Sequence, residues 1–401
     1  MIIHPATLSV SDGRCLLAAK VELETAGKIF GSSGSNTETL WIDWPESYFR
    51  PEDANADPFM LICLPLAMCL NERLEVVDSV SQSLIVNVLE AMEIYKHYFP
   101  HLCEVVKLHV SGRVTQDTSR SARIGSFYSG GVDSLFNIAE SQRLNRHYSI
   151  QPVTDLWLVQ GMDIKLSDEA LWSETKDRLL SPLYASERFR CADIRTNARD
   201  LHDQYVGYEV LGFSAILGGI SKCFAPLVGT SLIGSYGTYA DIIPHASSPL
   251  VDPMWSCDRQ VVRHFTCRAD RIEKIKTIGE HSPELLGGLR VCYKNLGGAY
   301  NCGRCEKCQR TQLQLLLCGH LEKSPTFEST LTPESLRGLR LKWHKKNQYT
   351  WDFWRDIESA CADAGLDDYR SAVRRMLLSN KVGWFRRRWR TRLNRVLFWK
   401  A

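Results

Sequence analysis

The chain has 401 residues, of which 44% are hydrophobic and 24% charged, a composition that excludes a disordered or collagen-like polymer and supports two or three domains without disulfide staples. The net charge is +3, but eight basic residues and no acidic ones lie from Lys381 onward, leaving 41 basic against 46 acidic side chains in the body. That body advertises no general nucleic-acid surface.

The opening Met1-Ile2-Ile3-His4-Pro5 has no basic segment followed by an apolar core, so no secretory signal is expected. The longest apolar run, Phe59 to Leu70, is broken by Pro65 and is too short to span a bilayer as a helix. The expected location is the cytoplasm. There, the clustered members of the 14 cysteines point to metal or catalysis ahead of disulfides.

Residues 1–120 read as an α+β module. Strands are predicted over 15–24, 39–44 and 106–110, with Gly31-Ser32-Ser33-Gly34-Ser35-Asn36 as a loop. Residues 80–98 have helical spacing, with Leu84, Val88, Leu89, Met92 and Tyr95 on one side. From Ser121 strands and helices alternate. Strands are predicted over 124–128, 153–160, 189–194 and 227–235. Helices are predicted after 131, over 166–180 with Ser167 as cap, and over 205–224. This alternation predicts an α/β fold, a Rossmann-like parallel sheet whose ligands sit at the carboxyl ends of its strands. A helical region is predicted over 316–380. In it Thr332-Pro333 starts one helix, and Thr350 caps another that Gly365 stops. Residues 381–401 form a basic tail with Trp389, Leu393, Val396, Leu397 and Lys400 at helical spacing. That pattern suits an anionic surface, RNA or a partner, and equally a helix that docks its apolar face on the body.

The first chemical motif is Ser129-Gly130-Gly131-Val132-Asp133-Ser134, between a strand and a helix. Two glycines permit a tight turn and close backbone approach, the helix start offers N–H groups and a positive dipole end, and the serines add hydroxyls. Gly-Gly alone is explained by an ordinary strand-to-helix turn. The whole hexapeptide favours a phosphate cradle, and the absence of a following Gly-Lys-Ser/Thr separates it from the Walker loop.

The second motif is Cys292, Cys302, Cys305 and Cys308, four thiolates spaced to close a tetrahedron around Zn²⁺. Arg304, Lys307 and Arg310 interleave with them and can offset the anionic centre. An iron–sulfur cluster takes the same ligands, and buried cysteines at a helix start are the bland alternative. Cys63, Cys69 and Cys318 sit in apolar runs and read as core.

The hexapeptide resembles the signature of PP-loop ATP pyrophosphatases. That resemblance implies a fold of the PP-loop class over residues 121–315, with ATP and Mg²⁺ as cofactors. It further implies attack on the α-phosphate to form an adenylate. Ser129, Gly130, Gly131, Val132 and Ser134 would hold the departing pyrophosphate, and Asp133 would support the loop or the metal. Asp133 and Ser134 would be catalytic, and Asp163, in Gly161-Met162-Asp163, would contact adenosine or serve as a turn residue.

Together with the cysteine pattern, the motif is similar to 7-cyano-7-deazaguanine synthases of queuosine-precursor synthesis. Those enzymes use ATP to turn a deazaguanine carboxylate into an amide and then a nitrile, beside a structural zinc. This chain departs from them in its extra N- and C-terminal regions. It also departs in the loop after the strand at 227–235, where Gly234-Ser235-Tyr236-Gly237, His245 and Ser248-Pro249-Leu250-Val251-Asp252-Pro253 replace the family's substrate-facing segment. His245, Asp252 and Arg259 are the candidate substrate contacts, against a reading as turn chemistry.

Long versions of the family resemble components of bacterial anti-phage operons, which implies an amine acceptor on a partner protein. The competing readings are a tRNA-thiolating PP-loop enzyme and a non-catalytic partner-binding module.

Overall fold

The computed structural model describes residues 1–397 except 26, 27, 32, 33, 53, 187 and 342–347; side chains are described as far as Val382, apart from 348 and 349. The predicted loop residues Ser32 and Ser33, and the apolar face and end of the basic tail, lie outside the described residues. The chain forms two compact units, Met1–Asp270 and Arg271–Ala401.

Thirteen strands occur among the described residues. They are β1 (Ile2–Ile3), β2 (Thr7–Ser11), β3 (Arg14–Glu22), β4 (Thr37–Pro45), β5 (Leu74–Val76), β6 (Val80–Ser81), β7 (Leu108–Val110), β8 (Val114–Thr115), β9 (Ile124–Phe127), β10 (Val153–Gln160), β11 (Arg190–Thr196), β12 (Thr230–Gly234) and β13 (Val261–Phe265). Eleven build one sheet in the order β13-β12-β9-β10-β11-β4-β3-β1-β5-β7, with β2 beside β3; β6 and β8 pair separately.

The first five strands of that order are mutually parallel. The central ones have sequences that suit burial on both faces. Val153–Gln160 carries Leu156, Trp157 and Leu158 in succession, all buried. The next strands are antiparallel. β3 accordingly alternates, with Cys15, Leu17, Ala19 and Val21 inward and Leu16, Ala18 and Lys20 turned out. The sheet therefore runs through the boundary expected near residue 120 without a break. The compact units divide at Asp270, so the cysteine motif falls outside the unit that holds the glycine loop.

A buried polar network ties the antiparallel part to the parallel part. The Tyr48 hydroxyl donates to Asp155 Oδ1 at 2.7 Å and accepts from Trp157 Nε1 at 2.8 Å. Arg123 Nε donates to Asp155 Oδ2 at 3.0 Å. Burial and then the Asp155 charge push the Tyr48 phenol well above its ordinary value, so it stays a donor. The apolar run forms the helix Asp57–Leu70, buried from Asp57 to Met68. It packs on the helix Phe213–Lys222, where a Cβ at Gly219 would meet the Pro58 carbonyl oxygen at 2.6 Å. Among the described residues no helix is long and apolar enough to cross a membrane.

Several predicted elements are shortened or re-capped. The helix expected over 205–224 begins only at Phe213, after turns through Gly207 and Gly212; a Cβ at Gly212 would strike the His202 ring at 2.3 Å. Asp168, not Ser167, caps Glu169–Leu179 by accepting from Leu171 N. β13, the fifth parallel strand, was not predicted. Its five residues, Val-Val-Arg-His-Phe, carry only a brief apolar signal.

In the second unit Leu313, Leu331, Leu336, Trp354, Ile357 and Met376 share one core. Gly365, at φ +69°, ends the helix Gln348–Asp363, and Leu366 N returns to the Cys361 carbonyl at 2.9 Å. The helix Asp367–Leu397 carries the start of the basic tail.

Tyr48→Phe removes one bond to the buried Asp155 carboxylate and leaves Trp157 Nε1 without its acceptor. Urea denaturation should register a loss of about 1–3 kcal/mol. An unchanged midpoint and slope would show the network to be dispensable.

Candidate functional site

The five parallel strands place the glycine loop at a topological switch point. From β9 the chain steps to β10 and β11 on one side, then returns to lay β12 and β13 on the other. In open parallel sheets, ligand sites lie outside the carboxyl ends of the strands at such a point. Ser129–Ser134 leaves β9 at that point.

Gly130 adopts φ +73°, a left-handed conformation that glycine takes without strain. Gly131 is the N-cap of the helix Val132–Tyr148. Leu135 N donates to Gly131 O at 3.0 Å, so the amides ahead of it fall outside the helical ladder. Ser134 Oγ donates to Gly131 O at 2.9 Å, and Ser129 Oγ accepts from Gly131 N at 3.3 Å. The two hydroxyls stand 3.5 Å apart. Ser129 is exposed, whereas Gly130 and Ser134 are buried. Gly234, at the end of β12, faces Asp133 so closely that a Cβ would lie 3.3 Å from its main chain. Behind the loop, buried Asn137 bonds Ser126 Oγ at 3.2 Å. This is a glycine turn at a positive helix end, a geometry that suits an anion.

Asp163 follows β10 on the same edge. Its carboxylate accepts from the Tyr208 hydroxyl at 2.9 Å, and Arg199 lies 4.3 Å from the Tyr208 ring centre. Gly161, at φ +91°, is obligatory here, since a Cβ would meet the Thr196 carbonyl oxygen at 1.9 Å.

His245 and Asp252 lie in the loop after β12. The His245 ring tilts over Tyr236 at 4.5 Å, and its Nδ1 meets Ser247 N and O at 3.1 Å; burial pushes its pKa down. Asp252 is fully buried. It accepts from Ser247 Oγ at 2.8 Å and Ser248 N at 3.3 Å, and lies 2.7 Å from His264 Nδ1. Arg259 does not join them. It precedes β13, at the amino end of the parallel layer, and pairs with Asp117 at 3.2 Å.

The sequence reading missed His264 and Cys267. Burial works against the His264 imidazolium, but hydrogen bonds to Asp252 and Cys267, with the charge on both, outweigh it and raise its pKa to about 9. The signal was the polar step from His264 to Arg268. It had no meaning until β13 was known to end there.

In the second unit Cys292, Cys302, Cys305 and Cys308 bring their sulfurs within 4.8 Å of one another. The Cys292–Cys302, Cys292–Cys305 and Cys302–Cys308 separations are 3.5, 3.9 and 3.9 Å. Tetrahedral Zn–S bonds of about 2.3 Å require sulfurs roughly 3.8 Å apart, so the four thiols fit zinc and are too far apart for disulfides.

Hydrogen bonds from Cys305 and Cys308 push the Cys292 thiol down, while its bond to Cys292 pushes Cys308 up; a divalent cation relieves that conflict. Gly303, at φ +68°, turns where a Cβ would meet the Ser329 carbonyl oxygen at 2.5 Å. Buried Asn301 accepts from Val291 N at 2.8 Å and Cys292 N at 3.1 Å, joining the two arms. The basic residues lean elsewhere: Arg304 on Ser329, Arg310 on Glu306 and Phe353, Lys307 by Tyr293.

No family model, curated protein or solved structure matches the chain.

Two outcomes are expected. Elemental analysis should find about one zinc per chain and no iron, with zinc lost in Cys308→Ser; iron in place of zinc would contradict the fit. The His264–Asp252 pair should impose a pH dependence. Its folded pKa of about 9 exceeds the ordinary 6.5, so its contribution is complete below about 6.5 and lost as pH rises through about 9. Denaturation between those values should show the decline, and Asp252→Asn should flatten it.

Proposed function

We propose that the chain is an ATP-dependent ligase of the PP-loop ATP pyrophosphatase type, related to 7-cyano-7-deazaguanine synthases. It would adenylate a carboxylate, release pyrophosphate, and join the acyl group to an amine. The observation that carries this reading is the Ser-Gly-Gly-Val-Asp-Ser loop at the switch point of a parallel layer, its backbone turned by Gly130 and the helix N-terminus following it at the carboxyl end of β9.

The chemistry follows from the parts. The carboxylate oxygen attacks the α-phosphate and the β,γ-pyrophosphate leaves. The leaving group gains negative charge, and the amides and hydroxyls of Ser129 to Ser134 stabilise it where that charge develops. Ser134, already fixed to Gly131 O, keeps its hydroxyl beside the turn. Asp133, against Gly234, supports the loop from the β12 side. Mg²⁺ enters as the counter-ion of ATP. Zinc, held by the four cysteines, supplies a structural cross-link in the second unit.

The substrate we infer is 7-carboxy-7-deazaguanine. The acceptor is an amine that gives an amide or nitrile, carried on a partner protein if the chain serves in an anti-phage operon. The altered loop from Ser235 to Pro253 is where acid and acceptor would be selected. It holds His245 and Asp252, while Arg259 lies at the opposite end of its strand and drops out of this role.

Pyrophosphate release should depend on both ATP–Mg²⁺ and the acid. Gly130→Val, which places a β-branched residue at φ +73°, should lower it by about a hundredfold or more while circular dichroism stays native. Release independent of the acid, or unaffected by Gly130→Val, would overturn the reading.

A further inference from the structure

Beyond the glycine loop, the same sheet edge carries a second set of reactive groups: Cys267, His264 and Asp252. We propose that Cys267 is a catalytic nucleophile that takes the acyl group from the adenylate and holds it as a thioester until the amine attacks. The identity of the acyl donor rests on the adenylating function proposed above; the thiol site rests on its own geometry.

The imidazole is oriented before any substrate arrives. His264 Nδ1 lies 2.7 Å from Asp252 Oδ2, and the two side chains are 2% and 0% exposed. Asp252 is itself held by Ser247 Oγ and Ser248 N. Cys267 lines the same cavity as His264, and its thiol donates to Ser235 Oγ at 3.3 Å. A thiol sharing a cavity wall with an imidazole that a buried carboxylate fixes has the residue types that activate thiols and hydroxyls in acyl transfer.

Two further observations separate this cysteine from a core residue. Thr266, immediately before it, has φ +72°, a conformation that is a true outlier for a β-branched side chain. Its hydroxyl donates to Phe265 O at 2.5 Å and to Asn137 Oδ1 at 3.4 Å. Such strain is retained where the fold over-determines it, often at reactive sites. The second is space: a cavity of about 510 Å³ is lined by His264, Thr266, Cys267, Arg268, Glu140 and Tyr239, a volume that suits a small ligand.

The thiol also lies beside the loop. Ser235, against Cys267, follows Gly234, which faces Asp133. An acyl-adenylate whose pyrophosphate left at Ser129–Ser134 would present its carbonyl near this edge.

The step balances without an oxidant or reductant. His264 holds the thiol proton while sulfur attacks the acyl carbon. The C–S bond forms, the C–O bond to phosphate breaks, and AMP leaves with the electron pair. The amine nitrogen then attacks the thioester, the C–N bond forms, and the thiolate leaves. The amine proton passes to solvent.

The test uses the full chain and two readouts. In the first, the wild type is incubated with ATP–Mg²⁺ and 7-carboxy-7-deazaguanine, quenched in acid and mapped by mass spectrometry, with ATP–pyrophosphate exchange followed in parallel. The acyl mass should sit on the peptide bearing Cys267 and be released by neutral hydroxylamine. Amide formation with added ammonia should fall about a hundredfold or more in Cys267→Ala. Exchange in the wild type combined with undiminished amide formation in Cys267→Ala would overturn the proposal.

Absence of exchange in the wild type would overturn the adenylating function instead, and the second readout then decides the thiol site. Iodoacetamide at pH 6.5, where an ordinary thiol is about 1% ionised, should alkylate Cys267 ahead of the other cysteines. Alkylation should slow about tenfold in Asp252→Asn and in His264→Gln. Labelling no faster than the bulk, and indifferent to both changes, would overturn the site.

Discussion

The structure depends on one topological constraint: β12 lies on the opposite side of β9 from β10. The chain therefore leaves β9 toward β10 on one side and leaves β12 toward β13 on the other. The sequence at this point is what that geometry demands. Gly130 turns through a left-handed conformation, and Gly234 lacks the Cβ that would press on Asp133. Ser126 and Asn137 are bonded underneath. Small residues here bring main chain close to main chain, and main-chain amides are the donors that suit a polyanion.

The N-terminal segment is a structural extension of the same sheet. β4 adds to β11 in antiparallel register, which stops the parallel layer and lets β3 turn one face outward. Arg14 joins Asp43 of β4 to Asp193 of β11, and Tyr48 reaches the buried Asp155 of β10. Polar groups this deep cost more when half satisfied than when absent, so the Tyr48 hydroxyl and the Trp157 indole both depend on this contact. At the exit of β10, Asp163 accepts from the Tyr208 hydroxyl, and the neighbouring β9 carries the loop.

Much of this was legible in the sequence, and the exceptions have physical causes. The strand-to-helix hexapeptide and the four cysteines announced themselves because their chemistry needs residue types at fixed short spacings. The parallel strands β9, β10, β11 and β12 were recognisable from apolar runs between helices. β13 was not, because an edge strand of five residues with Arg263 and His264 need not be uniformly apolar. Losing β13 concealed the Asp252–His264 pairing: Asp252 was read as a substrate contact, while its partner twelve residues later went unnoticed. Arg259 was grouped with it by proximity in the chain, though a strand's length separates them in space. The length of the helix beginning at Phe213 was overread because apolar residues at 205–212 serve a turn that packs Tyr208 against Asp163 and Arg199.

The proposed role of the loop has one direct isotopic test. The carboxylate of 7-carboxy-7-deazaguanine is enriched with oxygen-18, turned over with ATP–Mg²⁺ and ammonia, and the phosphorus products are analysed by mass spectrometry. Adenylation transfers one labelled oxygen to AMP and leaves pyrophosphate unlabelled, the result this account predicts. Label in inorganic phosphate, with ADP as the nucleotide product, would show attack at the γ-phosphate and contradict the assignment of Ser129–Ser134 as a pyrophosphate cradle.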